Sequence, residues 1–130
     1  MNTDETRMGK LVHEELTREI IGAAFEVHKI LGYGFLERVY LKALQAELIS
    51  QGLRVEIEHP IKVVYKGIVI GDYFADLVVE ESVVIELKIA ASYNKQDEPQ
   101  LLNELKASGV KVGLLINFGR TKVEFKRLVF

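Results

Sequence analysis

The spacing of apolar residues changes abruptly at Leu53, and this change restricts the fold more than any single motif. Before it, apolar side chains recur every three or four positions over residues 11–31 and 35–51, which predicts two helices separated by the short sequence GYG. After it, apolar residues alternate, which predicts four strands, with a hairpin turn at Lys66 and Gly67, in the segments LRVEIE, IKVVYKGIVI, DYFADLVV and SVVIELKIA. Helical spacing returns over residues 95–108, and two more strands follow, KVGLLINF and KVEFKRLVF.

The predicted order of elements is therefore ααββββαββ. A chain of 130 residues, of which 48% are hydrophobic, is long and apolar enough to bury one core. We expect residues 1–10 to form a polar tail and residues 11–130 to form a single α/β domain, in which a mixed central sheet is flanked by helices.

Composition excludes several classes of protein. Because the chain has no Cys, it can hold no disulfide, zinc ribbon, thiolate nucleophile or iron–sulfur cluster. The net charge of −2 argues against a protein that coats nucleic acid, although residues 106–130 carry +5 and the rest −7. Those cations are compatible with local phosphate contact or with solvated strand faces. The polar N-terminus and the lack of any membrane-spanning stretch predict a soluble cytoplasmic protein with no membrane partner.

The segment DYFADLVVEESVVIELKIA carries the most informative chemistry. In its second half, alternate residues form an apolar face while Glu86 and Lys88 share the opposite one. If residues 80–82 form a hairpin loop, Asp76 lies directly opposite Glu86 and Phe74 opposite Lys88. Directly opposed residues have Cβ atoms about 4.5–5.5 Å apart. This register therefore brings two carboxylates together with an ammonium group beside them.

Two opposed carboxylates repel, so a purely structural sheet has reason to avoid them. A bound cation removes the objection, since Mg²⁺ prefers one or two carboxylates together with waters and phosphate oxygens. Lys88 is then placed to orient a water or to stabilise charge on a phosphate, which favours phosphodiester hydrolysis. The alternative interpretation is a solvated strand face with a weak ion pair, the commoner origin of an E-x-K pattern.

A second pattern lies in GFLERVY, where Gly34, Glu37 and Tyr40 are three residues apart and share one helix face. With Gly34 at the N-cap, Glu37 is the N3 residue of a capping arrangement and Tyr40 a core residue. The same spacing is compatible with a functional Glu37. Gln100, at the start of the third helix, is either a ligand of a water or metal or a surface amide, and the sequence leaves both open.

The blocks GFLERVY, ADLVVEESVVIELK and PQLLNELKASGVKVGLLINFG together resemble the GxxExxY family, a branch of the PD-(D/E)XK nuclease superfamily, over nearly the whole chain. The resemblance implies a restriction-endonuclease-like core in which Asp76, Glu86 and Lys88 form the D…E-x-K signature. It also implies that Glu37 is the acidic residue contributed by the first core helix, and that Gln100 is the glutamine often found after the E-x-K strand.

The resemblance is incomplete at two positions. Family members usually have a His three residues before the glutamine and a Tyr four residues after it, where this chain has Asp97 and Glu104. Two additional acids near the site would oppose the approach of phosphate.

From these observations we expect a Mg²⁺- or Mn²⁺-dependent phosphodiesterase that acts on DNA, with RNA left open. Asp76, Glu86 and Glu37 would ligate metal, Lys88 would position water and Gln100 would assist. One alternative is a catalytically inactive module of the same fold that binds nucleic acid or a protein partner. Another is a purely structural Mg²⁺ site. A chain of this size covers little duplex, so a homodimer that makes two nicks is compatible with the sequence.

Overall fold

The computed structural model describes residues 13–130, and the predicted polar tail at residues 1–10 lies outside this part. The elements run in the order α1 (Glu14–Leu31), α2 (Glu37–Ser50), β1 (Val55–Tyr65), β2 (Ile68–Val79), β3 (Val83–Lys88), a 3₁₀ turn (Lys95–Asp97), α3 (Glu98–Ser108), β4 (Val112–Phe118) and β5 (Val123–Val129). No helix within residues 13–130 is long and apolar enough to span a bilayer.

The five strands form one mixed sheet in the order β1-β2-β3-β4-β5. β3 and β4 are parallel and are connected through α3, whereas the other three neighbouring pairs are antiparallel. A parallel pair needs such a crossover, while the antiparallel pairs are joined by short turns. The predicted α/β class, with a mixed sheet flanked by helices, is confirmed.

The prediction of four strands before α3 was wrong by one, because β1 and β2 are longer than the sequence segments suggested. β1 continues through Pro60, which pairs with Phe74 of β2. Proline lacks the N–H group of a central strand but is tolerated on an edge, and β1 is an edge strand. The predicted hairpin at Lys66 and Gly67 is confirmed, since it joins these two long strands.

Helices cover both faces of the sheet. α1 and α2 pack on one face, in a core whose strand residues include Ile85, Leu87, Leu114 and Ile116. α3 packs on the other face through Leu101 and Leu105, against residues that include Val84 and Leu115. A strand covered on both faces has no solvated side. This explains why every residue of β4 is buried, and why all but Gly113 and Asn117 have apolar side chains.

β1 and β2 are distorted where Glu58 faces Asp76. The ladder pairs on either side, formed by Leu77 and Ala75 of β2, leave Glu58 and Asp76 outside the ladder, and Glu58 has a φ of 52°. Leu77 belongs to the core under α1 and α2 and Ala75 to the core under α3, although residues two apart on a regular strand share a face. The distortion therefore releases the backbone of Asp76 from its neighbour β1.

The loop between α1 and α2 sets the start of the second helix. Gly34 has a φ of 120°, a conformation that favours glycine. Leu36, with extended backbone, is the N-cap, and Glu37 is the first helical residue. The expectation that Gly34 caps the helix was therefore wrong, because α2 begins two residues later than predicted. Glu37 remains at the positive end of the helix dipole.

Tyr40 fixes this loop from within the core. Its side chain is fully buried and stacks on Phe118, with ring centroids 4.7 Å apart. Its hydroxyl donates to the carbonyl oxygen of Gly32 at 2.5 Å and accepts from the N–H of Phe35 at 3.4 Å. One buried hydroxyl thus holds both sides of Gly34 and the approach to Glu37.

We predict that Tyr40→Phe lowers the free energy of unfolding by about 1–2 kcal/mol, because it leaves the Gly32 carbonyl without its buried donor. Tyr33→Phe is the matched control, since Tyr33 lies in the same loop and is 41% exposed. Urea unfolding of the three proteins measures the difference. Equal losses in both variants would show that the buried hydroxyl does not hold the loop.

Candidate active site

The site forms where β2 and β3 separate. Their ladder consists of the pairs Leu77–Ile85, Val78–Val84 and Val79–Val83, which confirms the register predicted from the loop at residues 80–82. Extended by one step, this register sets Asp76 opposite Glu86.

Reciprocal side-chain contacts replace the ladder at that step. The N–H of Asp76 donates to Oε1 of Glu86 at 3.3 Å, and the N–H of Leu87 donates to Oδ2 of Asp76 at 2.7 Å. The carboxylates of Asp76 and Glu86 therefore satisfy backbone groups that a regular sheet would pair with each other. The structure brings these two predicted site residues together.

Glu86 also faces an acid on the opposite element. Glu86 is 5% exposed, and Glu104 of α3 is fully buried. Burial first, then a hydrogen bond with Glu104 and the charge of Asp76, together raise the pKa of Glu86 to about 11. Among residues 13–130, Oε1 of Glu104 has no hydrogen-bond donor, so a proton held by Glu86 satisfies the pair.

Gln100 contacts the cluster of acids formed by Asp76, Glu86 and Glu104. Its Nε2 donates to Oε2 of Glu104 at 3.1 Å, so the side-chain amide fixes one oxygen of that carboxyl. The structure therefore connects Gln100 to Glu86 through Glu104. Asp97 is the second acid that departs from the family pattern. It lies at the N-cap of α3 and is not among the charges that shift the pKa of Glu86.

Glu37 lies close enough to Asp76 and Lys88 for their charges to influence its pKa. Its pKa is raised, first by partial burial and second by the charge of Asp76, while the charge of Lys88 opposes the rise. The first residue of α2 thus lies within the field of both Asp76 and Lys88. The spacing in GFLERVY was compatible with this position but did not require it.

Lys88 is the last residue of β3 and is half-buried. It pairs in the parallel ladder with Asn117 of β4. Phe74, predicted to lie opposite Lys88, pairs with Pro60 on the other side of β2 and is 60% exposed. The ladder between β2 and β3 does not extend that far.

Sequence reasoning missed two residues that support the site. Asn117 is buried, and its side chain both accepts from the N–H and donates to the carbonyl of Ala90, each at 2.9 Å. Oε1 of Glu124 accepts from Asn117 at 3.3 Å and from the N–H of Tyr93 at 2.9 Å. These bonds fix the chain that leaves Lys88 toward α3.

Asn117, and the role of Glu104 in the site, each had a signal in the sequence. Asn117 is the one polar side chain within the buried strand VGLLINF. Glu104 lies on the apolar stripe of α3, three residues after Leu101 and directly before Leu105. A polar side chain at a core position usually has a specific partner.

The donor set fits a hard cation. The candidate ligands offer carboxylate oxygens alone, which suit Mg²⁺ or Mn²⁺, and Oε1 of Glu104 is a buried oxygen without a donor. Within residues 13–130, however, no group of three His, Asp or Glu side chains is arranged to hold a metal ion. Backbone N–H groups instead engage Oδ2 of Asp76 and Oε1 of Glu86.

Comparison with known proteins defines the class. The α/β core, with its five-stranded mixed sheet, is restriction-endonuclease-like. The chain belongs to the PD-(D/E)XK nuclease superfamily, whose family model matches residues 14–128. Members of this superfamily usually use divalent metals.

A solved structure shares the fold. The crystal structure of SSO0001 superposes with a TM-score of 0.56 at 17% sequence identity, over 92% of this chain and 60% of that one. This chain thus spans about 60% of that protein's length, and the likeness concerns the fold alone. No curated protein matches this chain.

The raised pKa of Glu86 predicts how stability depends on pH. Above pH 4.5 the unfolded chain releases the proton of Glu86 while the folded protein retains it, so the free energy of unfolding falls as pH rises. Glu86→Gln removes this dependence. With a chelator present, we expect the variant to be about 1–3 kcal/mol more stable than wild type at pH 7, and the gain to vanish near pH 4.5.

Urea unfolding at several pH values measures this gain. Glu19→Gln is the control, since Glu19 is exposed on α1. A Glu86→Gln protein that is less stable than wild type at pH 7 would contradict the protonated pair.

Proposed function

We propose that this protein is a metal-dependent nuclease of the GxxExxY branch, which hydrolyses phosphodiester bonds in DNA, with RNA left open. The observation that carries the proposal is the pair of hydrogen bonds at the separation of two strands, in which Glu86 accepts from the N–H of Asp76 and Asp76 accepts from the N–H of Leu87. Membership of the PD-(D/E)XK superfamily and the charges of Glu37 and Lys88 around Asp76 support it.

In this proposal, Asp76, Glu86 and Glu37 would hold Mg²⁺ or Mn²⁺. Such a cation, when bound, supplies Lewis-acid activation of a water and neutralises phosphate charge. The Lys88 ammonium orients the attacking water by a hydrogen bond and stabilises the charge that builds on the phosphate oxygens. Gln100 fixes Glu104, and thereby the position of the carboxyl beside it, Glu86.

A specific observation favours a second function, a module that binds nucleic acid or a protein without cleaving. Burial and the neighbouring acids raise the pKa of Glu86 and so favour its protonated form, and Glu104 stands where the GxxExxY family usually has Tyr. A protonated Glu86 is a poor metal ligand. The two functions differ in whether a cation displaces that proton at neutral pH.

We further propose that residues 11–130 form one domain of a cytoplasmic protein. A homodimer would bring two sites to one duplex, which accords with the small surface of a single chain. Size-exclusion chromatography with light scattering, with and without a duplex, measures this state.

We predict that wild-type protein cleaves plasmid or oligonucleotide substrates with Mg²⁺ or Mn²⁺, and that Asp76→Ala and Lys88→Ala each lower the rate at least about 100-fold. Asp76→Ala removes a carboxylate, and Lys88→Ala removes the ammonium. Glu19→Ala, an exposed acid on α1, should cleave as wild type does. Gel analysis of supercoiled plasmid and of single- and double-stranded oligonucleotides, with identically purified proteins, measures the rates.

Two results would count against the nuclease. Cleavage that survives Asp76→Ala would reveal a contaminant. No cleavage by wild type, combined with binding to nucleic acid, would favour the non-cleaving module.

A further inference from the structure

A cleft of about 410 Å³ lies between β1 and α3, outside the proposed catalytic residues. It is lined by Lys62, Val63 and Val64 of β1 and by Asn103, Lys106 and Ala107 of α3. The lining carries two positive charges and no acid. By contrast, a smaller cleft of about 230 Å³ next to the same strand is lined by Glu56 and Glu81, which would repel an anion.

The two lysines of the cleft are available to a ligand. Both are exposed, and within residues 13–130 no ion pair engages either of them. Asp72 of β2 pairs directly with Lys62 and shares its face, so it reduces the local positive charge. Asp72 is exposed and does not line the cleft.

The α3 wall of the cleft lies on the same helix face as Gln100 of the proposed active site. Gln100, which binds Glu104, lies three residues before Asn103, and Asn103 lies three residues before Lys106. Residues at this spacing are neighbours on a helix surface. At about 1.5 Å per residue, Asn103 is about 5 Å and Lys106 about 9 Å along the helix axis from Gln100.

We propose that this cleft binds the sugar-phosphate backbone of the nucleic acid strand beside the bond to be cut, an inference that rests on the proposed function. Lys62 and Lys106, which both line the cleft, neutralise phosphates, and the Asn103 amide donates to a phosphate or sugar oxygen. Val63 and Val64 offer apolar contact to the sugars. Contacts of this kind position a strand without reading its sequence.

The test is binding of fluorescein-labelled single- and double-stranded oligonucleotides, followed by fluorescence anisotropy with EDTA present so that no strand is cut. Lys62→Ala/Lys106→Ala is compared with Lys29→Ala/Lys42→Ala. The control removes two exposed lysines from α1 and α2, on the opposite face of the sheet, and so makes the same change in net charge. Thermal melting checks that both variants fold.

We expect the cleft variant to weaken binding at least about 10-fold and to reduce the slope of log Kd against log salt by about 2, because two phosphate contacts are lost. The control should stay within about 2-fold of wild type. Asp72→Asn should tighten binding, since it removes the carboxylate opposite Lys62. In cleavage assays, the cleft variant should raise KM and leave kcat unchanged, unlike Asp76→Ala.

The outcomes separate the two proposals. If wild type binds nucleic acid and the cleft variant binds as well as the control does, the cleft is not the strand-binding surface while the proposed function stands. If wild type neither binds nor cleaves any nucleic acid, with or without metal, both proposals are overturned.

Discussion

The structure of the site depends on two hydrogen bonds, from the N–H of Asp76 to the Glu86 carboxyl and from the N–H of Leu87 to the Asp76 carboxyl. Two antiparallel strands that separate leave N–H groups without partners, and here each carboxylate satisfies an N–H of the other strand. The distortion at Glu58 releases Asp76 from β1, and the end of the β2–β3 ladder releases it from β3. The same departure from regular pairing thus both brings the two acids together and stabilises their positions.

Gly34, Glu37 and Tyr40 of GFLERVY each have a separate physical role. Gly34 adopts a backbone conformation that other residues rarely adopt, Tyr40 ties the loop to the core, and Glu37 begins α2 within the field of Asp76. Their spacing of three therefore places the turn at Gly34, the buried contact of Tyr40 and the carboxylate of Glu37 in one short segment, where each depends on the others. A change at one of them alters the geometry of the other two.

Local patterns predicted much of the fold, because helices and hairpins are determined by neighbours in sequence. The alternation around residues 80–82 gave the register that brings Asp76 to Glu86. The continuation of β1 through Pro60 was not predictable from local pattern, since it depends on β1 being an edge strand. The contact of Glu104 with Glu86 depends on how α3 packs across the sheet, which no spacing within either element specifies.

The bonds from Asn117 to Ala90 have a consequence for synthesis of the chain. The strands that carry Asp76, Glu86 and Lys88 leave the ribosome well before β4, and until β4 arrives β3 is an unpaired edge. During that interval, the hydrogen bonds from Asn117 to Ala90, which hold the chain just after Lys88, are not yet formed. A ribosome-bound chain that stops short of Asn117 therefore contains the residues of the site without the hydrogen bonds that hold the end of β3, and these bonds form only once β4 has joined the sheet.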